Sequence, residues 1–516
     1  MARVHFVSLG CPKNRVDAEH MLGLSVGAGH ELVTEAADAD AIIVNTCAFI
    51  GEAKVESVNA ILDMAQVKAE GGQKLIVSGC LAQRYVDELQ NELPEVDHFI
   101  GTSDYRAITR VLEDEPGEGE APETPSDAAK DEAGGDFVPL VSLTRRQAQP
   151  EPAERNLVTG ELEYVAGGDI PRVNSMPRYT AYLKIAEGCD NTCAFCIIPT
   201  LRGKQRSRSI EDLVQEAQRL ADEGVVELNL IAQDLTGYGH DLPGKPKLHS
   251  LLEAISQVRG LRWVRCMYAY PRTLTPELLA VLDEGENILP YLDIPVQHGS
   301  DKMLRRMRRG RDQKRLGELL VGVRERVRGA VLRSTVIVGF PGEDDDDFQK
   351  LVDFAQQVRF ERLGVFKYSD EEGTSAFDLD EKVPAKTKRS RYDKLMRRQR
   401  RIHKAHLQEL IGQVHEAVVE GQSDEHEYLV VGRLWSQAPE IDGMTYLSST
   451  RSLKVGEIVH VRVTDAHDYD LVAEVLEEDD VEIRNSRPFR SRTQSESERY
   501  PADAYSNTGI DIATGK

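Results

Sequence analysis

Short apolar runs rich in β-branched residues alternate with helical stretches over the first 112 positions. RVHFVSLG, DAIIVNT and KLIVSG have the length and composition of buried strands, and VESVNAILDMAQVKA has a helical period. This alternation predicts an α/β domain built on a parallel sheet. From about residue 178 it recurs with more regularity: AYLKIA, VELNLIA, LRWVRCMYA, YLDIPVQ, LRSTVIVGF and RLGVFKYS are separated by helical stretches such as SIEDLVQEAQRLADEG. Six successive βα units predict a partial (β/α)6 barrel, whose chemistry belongs at the carboxyl ends of its strands. A basic helix, KTKRSRYDKLMRRQRRIHKAHLQEL, then leads into a small all-β segment with strands VHEAVVEG, EYLVVGRL, EIVHVRVTDA and YDLVAEVL.

The pattern divides the 516 residues into an N-terminal α/β domain (1–112), a linker (113–177), the partial barrel (178–408), a small β-barrel (409–476) and a tail (477–516). Residues 113–136 hold ten acidic residues against one lysine, the composition of an acidic, partly disordered linker, and the tail is likewise expected to be disordered. The whole chain carries a net charge of −23, which argues against strong general nucleic-acid binding and for a basic partner. The opening MARVHFVSLG has no basic leader, and no apolar run approaches the roughly 20 residues that span a bilayer, so a cytoplasmic protein with no membrane partner is expected.

Seven cysteines, an odd number without an export signal, point to reduced thiols acting as ligands. Cys189, Cys193 and Cys196 form a CxxxCxxC triplet directly after the first strand of the partial barrel. Three thiolates on one tight loop can bind three irons of a [4Fe-4S] cubane and leave the fourth open to a small ligand. Structural zinc normally takes four protein ligands, and no fourth Cys or His lies nearby. Cys11, Cys47 and Cys80 each follow one of the three N-terminal strands. A parallel sheet would therefore bring them to one edge although 33 or more residues separate them. Free cysteine also packs as a small hydrophobe, the reading given to Cys266, which sits inside a strand.

The CxxxCxxC motif with Phe195, set after the first strand of a six-unit barrel, resembles the radical S-adenosylmethionine (SAM) superfamily. Together with the three N-terminal cysteines and the small C-terminal barrel it resembles the methylthiotransferases over about residues 3–112 and 140–476. SLGCPKNRVDAE, CDNTCAFCIIPTLRGKQRSR, IPVQHGSDKML, IVGFPGE and YSDEEGTSA are similar to the branch that modifies an aspartate of the small-subunit ribosomal protein numbered twelve. The resemblance implies two [4Fe-4S] clusters, one on each cysteine triplet, and SAM used both as methyl donor and as source of a 5′-deoxyadenosyl radical. It implies transfer of a methylthio group to the aspartate β-carbon, both clusters facing one cavity, and partners that include a basic ribosomal protein, an electron donor and a sulfur source. The C-terminal barrel resembles a TRAM domain. Enzymes of the sister branch, which act on tRNA adenosine, usually carry GCQMN where this chain has GCPKN. A tRNA enzyme, or more remotely a metal scaffold without catalysis, are the alternatives.

From Ile411 to Leu476 twelve acidic residues face four basic ones, and the expectation is that carboxylates such as Glu416, Glu420, Asp468 and Asp470 recruit the basic substrate. Gln233, Asp234, Gln297, His298 and Gly339–Glu343 stand at strand ends where barrel ligands bind, but turn residues occupy the same places, so no role is assigned to them. The run Arg305–Arg309 has the charge to meet RNA and equally the look of a solvated helix face.

Overall fold

The computed structural model describes residues 1–113 and 155–477, apart from 161, 163, 164, 166, 169, 272, 273, 311 and 424–428. It divides into two compact units, the first of Met1–Ser175 with Thr200–Arg202 and the second of Met176–Pro199 with the chain from Gly203 onward. Among the described residues no helix is long and apolar enough to cross a membrane.

The first unit is a parallel sheet of strands β1 (Arg3–Ser8), β2 (Glu31–Leu32), β3 (Ala41–Thr46), β4 (Lys74–Gly79) and β5 (His98–Ile100), in the order β2-β1-β3-β4-β5. All six residues of β3 are buried, as expected of a central strand covered on both faces. The sequence pattern shows β1, β3 and β4; the two edge strands, two and three residues long, are too short to leave a periodic signal. The expected linker also ends earlier than 177. Arg155 donates to the carbonyls of Leu93 at 3.0 Å and Val96 at 2.7 Å, Ile170 joins the core, and Arg172 and Ser175 both bind the buried carboxylate of Glu19. The acidic stretch 114–154 and the tail beyond 477 lie outside the described residues.

The second unit contains all six predicted barrel strands: β6 (Thr180–Lys184), then, after a short antiparallel pair β7 (Ala186–Glu187) and β8 (Arg206–Ser207), β9 (Glu227–Ile231), β10 (Trp263–Cys266), β11 (Ile288–Asp293), β12 (Val331–Val338) and β13 (Arg362–Lys367). They form one parallel sheet in the order β13-β12-β11-β10-β9-β6. Cys266 is buried in its core, as expected. The C-terminal strands β14 (Val414–Gln422), β15 (Val430–Leu434), β16 (Thr445–Ser448), β17 (Ile458–Ala466) and β18 (Leu471–Val475) close into a barrel ordered β14-β15-β16-β18-β17. Only β16, four residues between loops, was not legible in the sequence.

The small barrel is fastened to the amino ends of the large sheet's strands. Glu227, the first residue of β9, is fully buried and accepts from Arg433 at 2.6 Å and Arg265 at 2.9 Å. Burial alone would raise its carboxyl; the two guanidinium groups overcome that and hold it at about 2. Both arginines also donate to the Gln437 carbonyl, and Tyr291 donates to Asp442 at 2.8 Å. Leaving a buried charge unpaired costs about 3–5 kcal/mol. Arg433→Ala leaves Glu227 with Arg265 as its remaining guanidinium partner and should lower stability by up to about that much. Chemical denaturation followed by tryptophan fluorescence checks it locally, because the chain's two tryptophans, Trp263 and Trp435, both lie at this junction.

The four carboxylates expected to recruit the substrate have partners within the fold. Glu416 accepts from Arg262 at 2.8 Å and from the Trp263 indole, and Glu420 from Arg433 at 2.6 Å and from Tyr179. Asp468 binds Lys404, and Asp470 accepts from the Met444 amide at 2.9 Å. A count of charges does not reveal that these carboxylates are already engaged within the fold.

Candidate cluster-binding sites

Cys11 stands between β1 and the helix Pro12–Gly27, Cys47 directly follows β3, and Cys80 opens the helix Cys80–Glu92 after β4. Because β1, β3 and β4 are adjacent and parallel, the carboxyl edge of the sheet brings the three thiols together as predicted. Gly10, at φ +93°, makes the close approach possible: a Cβ there would come within 2.8 Å of the Cys47 Cβ and 3.2 Å of its Sγ. Burial pushes the Cys80 thiol up to about 12; Arg202 opposes that shift, while Cys11 and Cys47 add to it. Burial raises the Cys47 thiol too. Arg202, itself buried, donates to the Cys80 Sγ at 3.5 Å and is held by Asp17 at 2.8 Å and Asn14 at 3.3 Å. It places a positive charge beside the Cys80 sulfur, and that charge also acts on Cys47.

In the second unit Cys189, Cys193 and Cys196 occupy the loop beyond β7, at the end of the sheet opposite the small barrel. Gly188, at φ +79°, packs its Cα against the Gly203 and Lys204 carbonyls, where a Cβ would collide. The Cys189 amide donates to Gly203 and the Cys196 amide to Cys193, each at 3.1 Å, which winds the loop tightly. Asn191, anchored to Asp234 at 2.6 Å, donates to the Cys189 Sγ at 3.4 Å. Arg309 donates to the Cys193 Sγ at 3.5 Å with its guanidinium 3.9 Å from the centre of the Tyr270 ring. Burial pushes the Cys196 thiol up to about 12; Cys193 and Cys189 add to the shift and Arg309 opposes it.

Among the described residues no three His, Cys, Asp or Glu side chains converge tightly enough to hold one metal ion. A lone zinc needs every thiolate about 2.3 Å from a single centre. In a cubane each thiolate binds a different iron, so its sulfurs stand further apart. In each triplet an arginine stands beside one thiol, a setting suited to a bound group of negative charge.

The unassigned strand-end residues are largely committed to the fold. Gln233 donates to Glu187 at 2.5 Å, and Asp234 caps the turn at Thr236 and Gly237. Glu343 accepts from the Gly339 amide and from Arg391. His298 accepts from the Ser300 amide, and Gln297, at φ +72°, keeps a buried Oε1 that has no hydrogen-bond partner among the described residues. Arg202 and Arg309 were not singled out in the sequence. Arg309 stood inside the basic run Arg305–Arg309, whose other members differ: Arg305 donates to its own helix and Arg306 to the Pro341 carbonyl.

Known proteins extend the likeness over almost the whole chain. The ribosomal protein uS12 methylthiotransferase RimO of Myxococcus xanthus (strain DK1622) is 52% identical over 93% of this chain and 93% of its own. That of Geobacter sulfurreducens is 44% identical over 92% and 98%. The chain belongs to the RimO family. RimO-family domains follow its architecture: residues 3–101 match Uncharacterized protein family UPF0004, 183–355 the Radical SAM superfamily and 411–476 the TRAM domain. The RimO family is thus one of radical SAM enzymes, whose cofactors are an iron–sulfur cluster and SAM. Among solved structures, the radical SAM methyltransferase TsrM of Kitasatospora setae aligns at 13% identity and a TM-score of 0.49, over 73% of this chain and 77% of that one.

Proposed function

We propose that the chain transfers a methylthio group to the β-carbon of an aspartate in ribosomal protein uS12, giving 3-methylthioaspartate, and that it holds two [4Fe-4S] clusters. The observation that carries this reading is the pair of separate thiol triplets, each at the carboxyl end of a parallel sheet and each beside an arginine, in a chain 52% identical to a RimO. Cys189, Cys193 and Cys196 would hold one cluster and leave an iron open for SAM; Cys11, Cys47 and Cys80 would hold the other.

When bound and reduced, the open cluster and SAM supply a 5′-deoxyadenosyl radical, which suits a β-methylene too weakly acidic for any side-chain base. The protein's own part is positional. Asn191 and Arg309 fix the sulfurs of Cys189 and Cys193, and Tyr270 fixes Arg309. Arg202 offsets the negative charge of the other triplet. An electron donor and a sulfur source complete the reaction. Mass spectrometry of uS12 from cells with and without this chain tests the reading: a methylthio mass on an aspartate should appear only with the chain. A methylthio mass on tRNA instead, or failure of the reduced protein to release 5′-deoxyadenosine from SAM, would overturn it.

A further inference from the structure

The helix Ala385–Glu409 carries ten Lys or Arg against Asp393 and Glu409, in a chain whose net charge is −23. Its inner stripe, Arg391, Leu395, Gln399, His403 and Leu407, is buried. At about 100° per residue, Lys386, Lys394, Arg397 and Arg401 fall together on the opposite side, and all four are exposed. Other basic groups of the helix have carboxylate partners: Arg389 binds Asp393, Arg391 binds Glu343 and Asp345, and Lys404 and Arg400 bind Asp468. The outer four have no carboxylate partner among the described residues; Lys394 lies 5.3 Å from the centre of the Phe348 ring. Like charges spaced as Arg397 and Arg401 are weaken a helix slightly, and among the described residues no carboxylate compensates for them.

We infer that this outer face docks on the phosphate backbone of RNA, so that the enzyme engages uS12 within the small ribosomal subunit rather than as a free chain. The inference rests on the uS12 reading above. Charge selects the occupant, because a free basic ribosomal protein would be repelled by this face, whereas RNA surrounding the same protein in a particle would be attracted. The four groups span about 22 Å along the helix axis, enough to meet several phosphates of one strand. The overall charge of −23 hides this, since attraction at contact distance is set by the nearest charges and the rest are screened over roughly 8 Å.

Lysines and arginines that neutralise phosphates release counterions, and the salt dependence counts them. Four contacts imply that affinity falls roughly 50- to 150-fold between 50 and 200 mM salt. The test compares the full-length holoenzyme with a variant carrying K386Q, K394Q, R397Q and R401Q, titrated against purified small ribosomal subunits and, separately, against isolated uS12. The variant should bind subunits at least about tenfold more weakly at 50 mM salt, with most of the salt dependence gone. Its cleavage of SAM and its binding of isolated uS12 should match wild type. Equal affinity and equal salt dependence of the two proteins for the subunit would overturn the inference. So would parallel loss of binding to isolated uS12, or tighter wild-type binding to anionic lipid vesicles than to subunits. A wrong substrate reading shows itself differently: uS12 would gain no methylthio mass from wild type in either form, whatever the subunit affinity.

Discussion

Anaerobically purified protein carrying C189A, C193A and C196A together is expected to hold about four irons instead of about eight and to release no detectable 5′-deoxyadenosine from SAM under reduction. The loss should be complete rather than partial, because these thiols are the only cysteines in the loop beyond β7 and, on the function proposed above, cleavage needs the iron they would leave open. Cys196 sits where burial alone would keep its thiol protonated, so without iron the loop has no reason to collect three anionic sulfurs. Iron analysis and chromatography of the cleavage products make the check. A triple variant that still carried about eight irons would refute the assignment of these ligands.

The companion variant, C11A, C47A and C80A, should lose methylthio transfer entirely and about half of its iron while its rate of reductive SAM cleavage stays within about twofold of wild type. The separation follows from the fold: the two triplets belong to two compact units, each with its own parallel sheet and core. Arg202 adds a finer expectation. With the sulfurs gone it keeps Asp17 and Asn14, so the first unit should remain folded, which circular dichroism would report. Loss of SAM cleavage in a correctly folded variant would mean that the roles of the triplets are not separable.

What the sequence disclosed and what it concealed have different physical origins. Four strands of the large sheet, β6, β9, β10 and β11, are buried along their whole length, β12 and β13 on alternate positions, so most appear as apolar runs, and cysteines placed just after such runs inherit their positions from the strand ends. Residues 155–175 have no such pattern; they pack through Ile170 and through Arg155 and Arg172, whose hydrogen-bond partners Val96 and Glu19 lie 59 and 153 positions away. Arginines are concealed for a similar reason. Nothing in MLRRMRRGR separates Arg309, which reaches the Cys193 thiol, from Arg305, which donates to the Asp301 carbonyl of its own helix. The acidic count over the C-terminal barrel is coarse because charge is visible in a sequence and pairing is not: Glu416 and Glu420 already have arginine and aromatic partners.

The junction around Glu227 bears on how such chains can be recombined. A small β-barrel at the end of a polypeptide looks like a cassette that could be exchanged between enzymes to redirect them from one substrate to another. Here the acceptor side contributes Glu227, Arg265 and Tyr291, and the barrel contributes Arg433, the Gln437 carbonyl and Asp442, all desolvated against one another. A graft that brings the barrel without its matching socket would carry an orphaned ion into the base of the catalytic sheet. The unit of exchange is therefore the large and small barrels as a pair, and specificity in this architecture is more readily altered at exposed positions, such as the outer face of the helix Ala385–Glu409, than by swapping the domain behind it.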